Sequence, residues 1–276
     1  MIRNTILGLF TCTALGATAA AGIYSGPTDV AHPIDPAIPS NSPRFLEWAN
    51  AIDASRTQFA PRGSSSISTT GFNSLGDLNA AEIAAGNAPG FLTVTFPSGV
   101  RNGAGADFAV FENAFTFGSP NGLFLDLAYV EVSSNGVDFL RFPSISTNSA
   151  PVQGSGAFAG YDTSNIYNLA GKHADSFGTP FDLAELAANP LVVGGTVNLS
   201  NIQYVKLVDI PGNGDFLDSM GNGILDNWLT SGSGGFDFRL PAGRGVGVLH
   251  GVPEPAASSA FLAAAVLIAW QTRKRR

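Results

Sequence analysis

The chain has 276 residues, among them 33 glycines, 17 prolines and 20 phenylalanines, and only 13% of it is charged. Its formal charge is −7, and five of the 14 basic residues sit at the two ends, so the body between them is more acidic still. That balance excludes a nucleic-acid binder, which shows a basic patch, and the scarcity of charge argues against long solvated helices and for strands joined by many turns.

An acidic body suits a calcium-loaded extracellular module and equally an ordinary secreted protein. The single cysteine, Cys12, lies in an apolar N-terminal segment. The body therefore has no disulfide, thiol nucleophile or thiolate metal site. Leu9-Phe10-Thr11 lacks the small residue expected before a lipidated cysteine, so Cys12 is not read as an acylation site.

In chain order, Arg3, an uncharged apolar core over 5–15 and the small residues Ala17, Ala19 and Ala21 form a secretory signal peptide, cut near Ala19 or Ala21 by signal peptidase. Residues 1–21 are assigned to it. Residues 22–43, rich in Pro, Ser and Ala, read as an extended lead-in to a domain spanning 22–251. Ser42-Pro43 is a helix-start signal, and Phe45, Leu46, Ala49 and Ile52 recur at helical spacing, which predicts a helix ending before Pro61.

Strands are predicted over 91–96, 107–112, 129–133, 137–142, 202–210 and 246–250. Asn135-Gly136 marks a hairpin between the third and fourth of these. A short helix is predicted over 181–188, before Pro190. Many short strands with turn signals and few helices define a mainly β chain, an antiparallel β-sandwich. No fixed repeat is present.

After Val252 come Pro253-Glu254-Pro255, a short apolar stretch over 256–270, and Arg273-Lys274-Arg275-Arg276. Fifteen apolar or small residues are short for a bilayer span, and the basic end favours the cytoplasmic face. Proline-glutamate-proline box, apolar helix and basic end, in that order over residues 252–276, resemble the PEP-CTERM sorting signal of Gram-negative bacteria. The resemblance implies processing near Pro253, Glu254 and Pro255 by an exosortase-type membrane transpeptidase. It also implies transient inner-membrane anchorage through the C-terminal transmembrane helix, then delivery to the cell surface or an extracellular exopolysaccharide matrix.

A second resemblance rests on Leu92-Thr93-Val94-Thr95-Phe96, on the run from Asp107 to Asn113, on Val130-Glu131-Val132-Ser133-Ser134-Asn135-Gly136, on Ala170-Gly171-Lys172-His173 and on Gly234-Gly235-Phe236-Asp237. Over residues 70–250 these resemble bacterial cell-surface proteins with a galactose-binding-like jelly roll. The resemblance implies a secreted, calcium-stabilised sandwich and no particular ligand. The family continues Gly-Gly-Phe-Asp with Leu-Asp-Ala, whereas this chain has Phe238-Arg239-Leu240-Pro241, so one carboxylate of the pattern is missing.

Two calcium candidates follow from the residues. In the loop 218–227, Asp218, Asn222, Gly223 and Asp226 fall at positions 1, 5, 6 and 9 of a D-x-[DN]-x-[DN]-G pattern. Position 3 is Met220, a thioether that a hard cation does not want. The bland alternative is a turn in which Asp and Asn bond their own backbone. The second candidate is Asp107, Glu112 and Asn113 with Asp209 and Asp237. Glu112 shares a strand face with Phe108 and Val110. A carboxylate there needs a cation, an arginine (Arg141 or Arg239) or several donors.

The enzymatic signals are weak. His32, His173 and His250 are scattered, with no HExxH spacing, G-x-S-x-G elbow or phosphate-binding loop. The expected function is thus a non-catalytic surface or matrix protein, calcium-stabilised and a candidate for carbohydrate binding, with Tyr161, Tyr167, Phe158 and Trp228 as candidate sugar contacts. The alternative is a secreted hydrolase acting on polysaccharide.

Overall fold

The computed structural model describes residues 22–118, 121–230, 234–240 and 244–251. The predicted signal peptide and the sorting tail lie outside these residues. Among the described residues no helix is long and apolar enough to cross a membrane.

The chain is mainly β, and the pairings between its strands are antiparallel. One five-stranded sheet runs in the order Ile38–Pro39, Phe177–Phe181, Phe108–Val110, Val246–Val248, Glu47–Trp48. A second runs Leu140–Arg141, Ala128–Ser133, Ile202–Asp209, Phe91–Val100, Ala51–Ile52. Phe108, Val110, Phe181, Val246 and Val248 of the first sheet share one core with Leu92, Val94, Val130, Val132, Val205 and Leu207 of the second. The period-two pattern produces this directly, since alternate side chains leave a strand on opposite faces. Part of each sheet's other face is covered as well. Tyr129 joins Leu123, Leu125, Leu127 and Ile210 in a second cluster, and Ala109 and Phe111 join Ile38 and Leu249 in a third. Burial on both faces explains why Phe108–Val110 reads as a continuous apolar run.

The hairpin at Asn135-Gly136 forms as its turn chemistry dictates. Leu140 pairs with Val132, Gly136 adopts φ +72°, and Ser133 Oγ accepts from the Gly136 N–H at 2.9 Å. Outside the core, Glu131 takes Arg141 at 2.8 Å and Lys206 at 2.5 Å across adjacent strands.

The helix predicted after Ser42-Pro43 does not form. Leu46 N donates to Val248 O and Ala49 N to Val246 O, both at 2.8–2.9 Å. The segment instead supplies the edge strand Glu47–Trp48 to one sheet and Ala51–Ile52 to the other. Sheet edges with unpaired carbonyls outcompete a helix here, and the Phe45 and Trp48 rings pack on Phe111 at 5.8 and 5.4 Å. The helix predicted over 181–188 is a short 3₁₀ turn, Leu183–Leu186, capped by Asp182, and a four-residue helix follows at Pro190–Val193. A helix that was not predicted, Ala80–Ala84, is set by a reciprocal capping box between Asn79 and Glu82.

Phe91–Val100 is ten residues long, or about 33 Å at the rise of a strand, and it defines two poles. At its start, Phe91 pairs with Val208 and Asp209 N donates to Gly90 O. At its end, Val100 pairs with Ile202 and bridges to Gly251, the last described residue.

Candidate functional site: a carboxylate cluster at one pole

The strand register carries several acids to the pole where Phe91 begins. Asp209 closes its strand opposite Ala128, which places Asp126 beside it. Glu112 leaves Phe108–Val110 at the same end. Asp237 opens the strand that pairs with Phe72–Ser74, directly opposite Ser74, which precedes Asp77 by three residues. Asp226 arrives from the hairpin Asn213–Leu217/Gly223–Leu225 and accepts the Leu127 N–H at 2.9 Å. Asp77, Glu112, Asp126, Asp209, Asp226 and Asp237 are all buried.

Their surroundings do not neutralise them. Both carboxylate oxygens of Glu112, and Oδ2 of Asp209, are buried without a hydrogen-bond partner. The N–H groups of Asn113 and Ala114 lie near enough to ease the Glu112 charge without meeting hydrogen-bond geometry. Asp209 Oδ1 accepts Phe236 N at 2.7 Å. Asp77 Oδ2 accepts Thr230 N at 3.0 Å and Oγ1 at 3.1 Å. Asp237 takes the Ser74 hydroxyl and, at 3.0 Å, the Asn113 amide. The arginines that could have paired with Glu112 are engaged elsewhere: Arg141 with Glu131, and Arg239 over the Phe72 ring and on Thr70 O.

Desolvation first, and then mutual repulsion, raise the Glu112, Asp126, Asp209 and Asp226 carboxyls well above the usual carboxylate range. Burial lifts Asp77 to about 6 and raises Asp237 more modestly. Arg62 is the one basic group among the described residues that eases any of the six, acting on Asp77, and it is committed to Glu82 and to the Asp77 carbonyl. Such a group of acids calls for a cation or for protons. The backbone is shaped around them: Gly235, at φ +71°, lies where any Cβ would collide with the Asp209 carboxylate, and a Cβ at Gly212 would collide with that of Asp226.

The pole is open on one side. A cleft of about 430 Å³ is floored by Asn113, Asp126, Thr230 and Asp237 and walled by Phe115, Phe124 and Phe158. Phe115 stacks on Phe124 at 4.8 Å and Phe158 leans over Phe124 at 5.0 Å. Even so, Phe115 and Phe158 are 45% and 57% exposed, an apolar surface at the mouth of the cleft.

The structure divides the residues singled out in the sequence. Glu112, Asn113, Asp209 and Asp237 come together, joined by Asp226 from the other candidate group. Asp107 stands at the opposite end of its strand. Its Oδ1 accepts Gly103 N and pairs with His250 Nδ1, at 2.7 and 2.8 Å, and Oδ2 accepts Leu183 N at 2.8 Å. Asp218 and Asn222 form the self-bonded turn that was the bland alternative. Asp218 accepts Met220 N, Asn222 N, Ser146 N and the Asn222 amide, all within 3.0 Å. Burial works against its charge, yet these donors hold the carboxyl below its ordinary value.

Sequence reasoning missed Asp77 and Asp126. The available signal was an aspartate set in an apolar run, Leu125-Asp126-Leu127, the same pattern as Val208-Asp209-Ile210 and Phe236-Asp237-Phe238.

Among the sugar-contact candidates, Phe158 lines the cleft. Tyr161 is buried, Trp228 donates Nε1–H to Leu78 O at 2.8 Å, and the Tyr167 hydroxyl is spent on Glu185 at 2.6 Å. His173 is buried between Ser25 Oγ and Thr179 Oγ1.

A hard divalent cation fits the donor chemistry, which is all oxygen and drawn from loops. Among the described residues no three His, Cys, Asp or Glu side chains already converge as a cage. Of the six acids, Glu112 through both oxygens and Asp209 through Oδ2 are the ones with buried oxygens left unpartnered. Fold and site thus define a class, a mainly β antiparallel domain with a carboxylate cluster beneath an aromatic-walled cleft. No protein-family model, curated protein or solved structure matches the chain.

Proposed function

We propose that the chain is an exported, non-catalytic surface or matrix module whose domain, a sandwich of the galactose-binding-like jelly-roll kind, is stabilised by calcium at the carboxylate pole. The observation that carries this is Glu112: both oxygens are buried and unpartnered among five further acids. Glu112, Asn113, Asp126, Asp209, Asp226 and Asp237 would hold the ion. Asp107 and Asp218 are left out because N–H and imidazole groups already satisfy them, and Asn222 because its own N–H and amide donate to Asp218. The bound ion would supply positive charge and tie together loops from both sheets. The apolar N-terminal segment and the Pro253-Glu254-Pro255 tail support export and exosortase-type sorting.

Thermal unfolding of residues 22–251 tests the calcium reading. A ligand that binds only the folded state at a hundred times its Kd adds about 2.7 kcal/mol, or roughly 5–10 °C for a domain of this size. Millimolar calcium is expected to raise the midpoint by that order over chelator, and Glu112→Gln to diminish the shift. An unchanged midpoint in the unsubstituted domain sinks the proposal.

The cleft supports a carbohydrate ligand. Sugar rings present apolar C–H faces, which stack on exposed aromatics, and hydroxyls, which meet a polar floor. Phe158→Ala is expected to abolish retardation of the domain in gels containing the exopolysaccharide of the producing cell while leaving its unfolding midpoint unchanged. Equal retardation of both proteins would remove the cleft from that role.

A further inference from the structure

We infer that the ligand of the cleft is cationic: a polysaccharide whose amino-sugar units carry unacetylated ammonium groups, seated between the rings of Phe115, Phe124 and Phe158 and the carboxylates of Asp126 and Asp237. This rests on the carbohydrate reading above and names the class of sugar.

The deciding residue is Asp126. It is only 7% exposed, yet it lines the cleft, so an entering group can reach it. Among the described residues no hydrogen-bond donor eases its carboxylate. Burial acts on it first, and then the charges of Asp77 and Asp237, all against ionisation. The rest of the floor offers acceptors too. Asp237 takes the Ser74 hydroxyl and the Asn113 amide, and the Thr230 hydroxyl gives its proton to Asp77. No lysine, arginine or histidine lines the cleft. Its side chains therefore present oxygen lone pairs and, the second amide proton of Asn113 aside, no donor.

A sugar hydroxyl both donates and accepts, so a neutral sugar would leave its oxygens unmet on this floor, and a uronate would face charge of its own sign. An ammonium has three protons and no lone pair, and its bonds to carboxylates are charge-assisted. The walls favour the same group. A cation within about 6 Å of an aromatic centroid is drawn to the ring face. Phe115, Phe124 and Phe158 stand 4.8, 5.0 and 6.1 Å from one another. Phenylalanine supplies that face without the O–H or N–H with which tyrosine and tryptophan would serve a neutral sugar. Calcium does not reverse the preference: one divalent ion offsets two carboxylate charges of six and leaves the pole negative.

The test is calorimetric titration of the full chain, in detergent and millimolar calcium, with four oligosaccharides of equal length, built from glucosamine, N-acetylglucosamine, glucose or a uronic acid. The glucosamine oligomer is expected to bind at least about tenfold tighter than each of the others, and added salt should shrink that preference. Asp126→Asn, near-isosteric and checked for folding by circular dichroism, should abolish the preference. The preference is a ratio taken within one protein, so a change in calcium affinity common to all four titrations leaves it unaltered. Phe158→Ala should weaken glucosamine binding by about tenfold or more. A preference below tenfold, or its reversal, overturns this inference and leaves the carbohydrate reading standing. No binding of any of the four overturns both. A preference that persists in folded Asp126→Asn, or glucosamine binding unchanged in Phe158→Ala, would overturn the placement of the ammonium in this cleft.

Discussion

Stripped of divalent cations, the domain is expected to become more stable as the pH is lowered from about 7.5 to about 5. Asp77, Glu112, Asp126, Asp209, Asp226 and Asp237 each have a folded-state pKa above the unfolded value, for desolvation in the first place. Between the two values the folded chain binds protons that the unfolded chain does not, so stability falls as the pH rises through that window. For Asp77 alone the window runs from 3.8 to about 6, a difference worth about 3 kcal/mol. Asp107 and Glu185, also raised by burial, act in the same direction. His173 acts against them. Burial, and then the Lys172 charge, push it well below 6.5, so its contribution is lost as the pH falls past that value. One imidazole against six or more carboxyls leaves the acids in control. The midpoint in chelator should rise by at least about 5 °C across this range, and saturating calcium should flatten or reverse the slope by holding the acids ionised. A chelated protein whose midpoint is flat, or falls towards acid, would show that these carboxyls are solvated or otherwise neutralised.

Lys172→Met should cost the domain about 3–5 kcal/mol, the usual loss when one member of a buried ion pair is removed. Lys172 is wholly buried. It pairs with Asp35 and donates to Ile166 O at 2.6 Å. Burial pulls its amine down to about 8, against the pull of Asp35. Asp35 in turn accepts Ser25 N at 2.8 Å and has His32 Nδ1 at 3.2 Å, so the pair fastens the 22–43 lead-in to the body. Without the lysine, the buried Asp35 carboxylate loses its counter-charge. Urea unfolding of Lys172→Met and of Lys172→Met/Asp35→Asn separates the causes. The double variant keeps an acceptor for Ser25 N–H and removes the stranded charge, so it should be more stable than the single one. A loss within about 1 kcal/mol for the single variant would mean that water reaches the pair.

How far the fold was legible depends on where each hydrogen bond ends. The strands at 91–96, 129–133 and 202–210 were readable because apolar runs and the Asn135-Gly136 turn are local signals, and local pattern and tertiary pairing agree there. The segment after Ser42-Pro43 was not, because Phe45, Leu46, Ala49 and Ile52 fit a helix equally well. What decides it is the carbonyls of Val246 and Val248, two hundred residues downstream, which no window contains. The same holds for the site. Glu112 stood out because its period-two neighbours are Phe108 and Val110. Asp126 did not, because what makes it notable is its placement next to Asp209 across a strand pair. Asp218 and Asn222 misled in the opposite sense: spacing suited to a cation is also spacing suited to a self-bonded turn, and only the donors from Ser146 and Met220 tell them apart.

Gly251 abuts Val100, while the acidic cluster gathers where Phe91 begins. Whatever follows Gly251 therefore departs about 30 Å from the cluster, the length of one strand. Tethered to a membrane or wall through that end, the domain would hold its carboxylates and phenylalanines at the tip, facing the medium. Cutting such a tether would free the domain without touching the tip, so display and release would use separate ends of the same strand. A reporter fused after Gly251 should likewise leave calcium uptake unaltered.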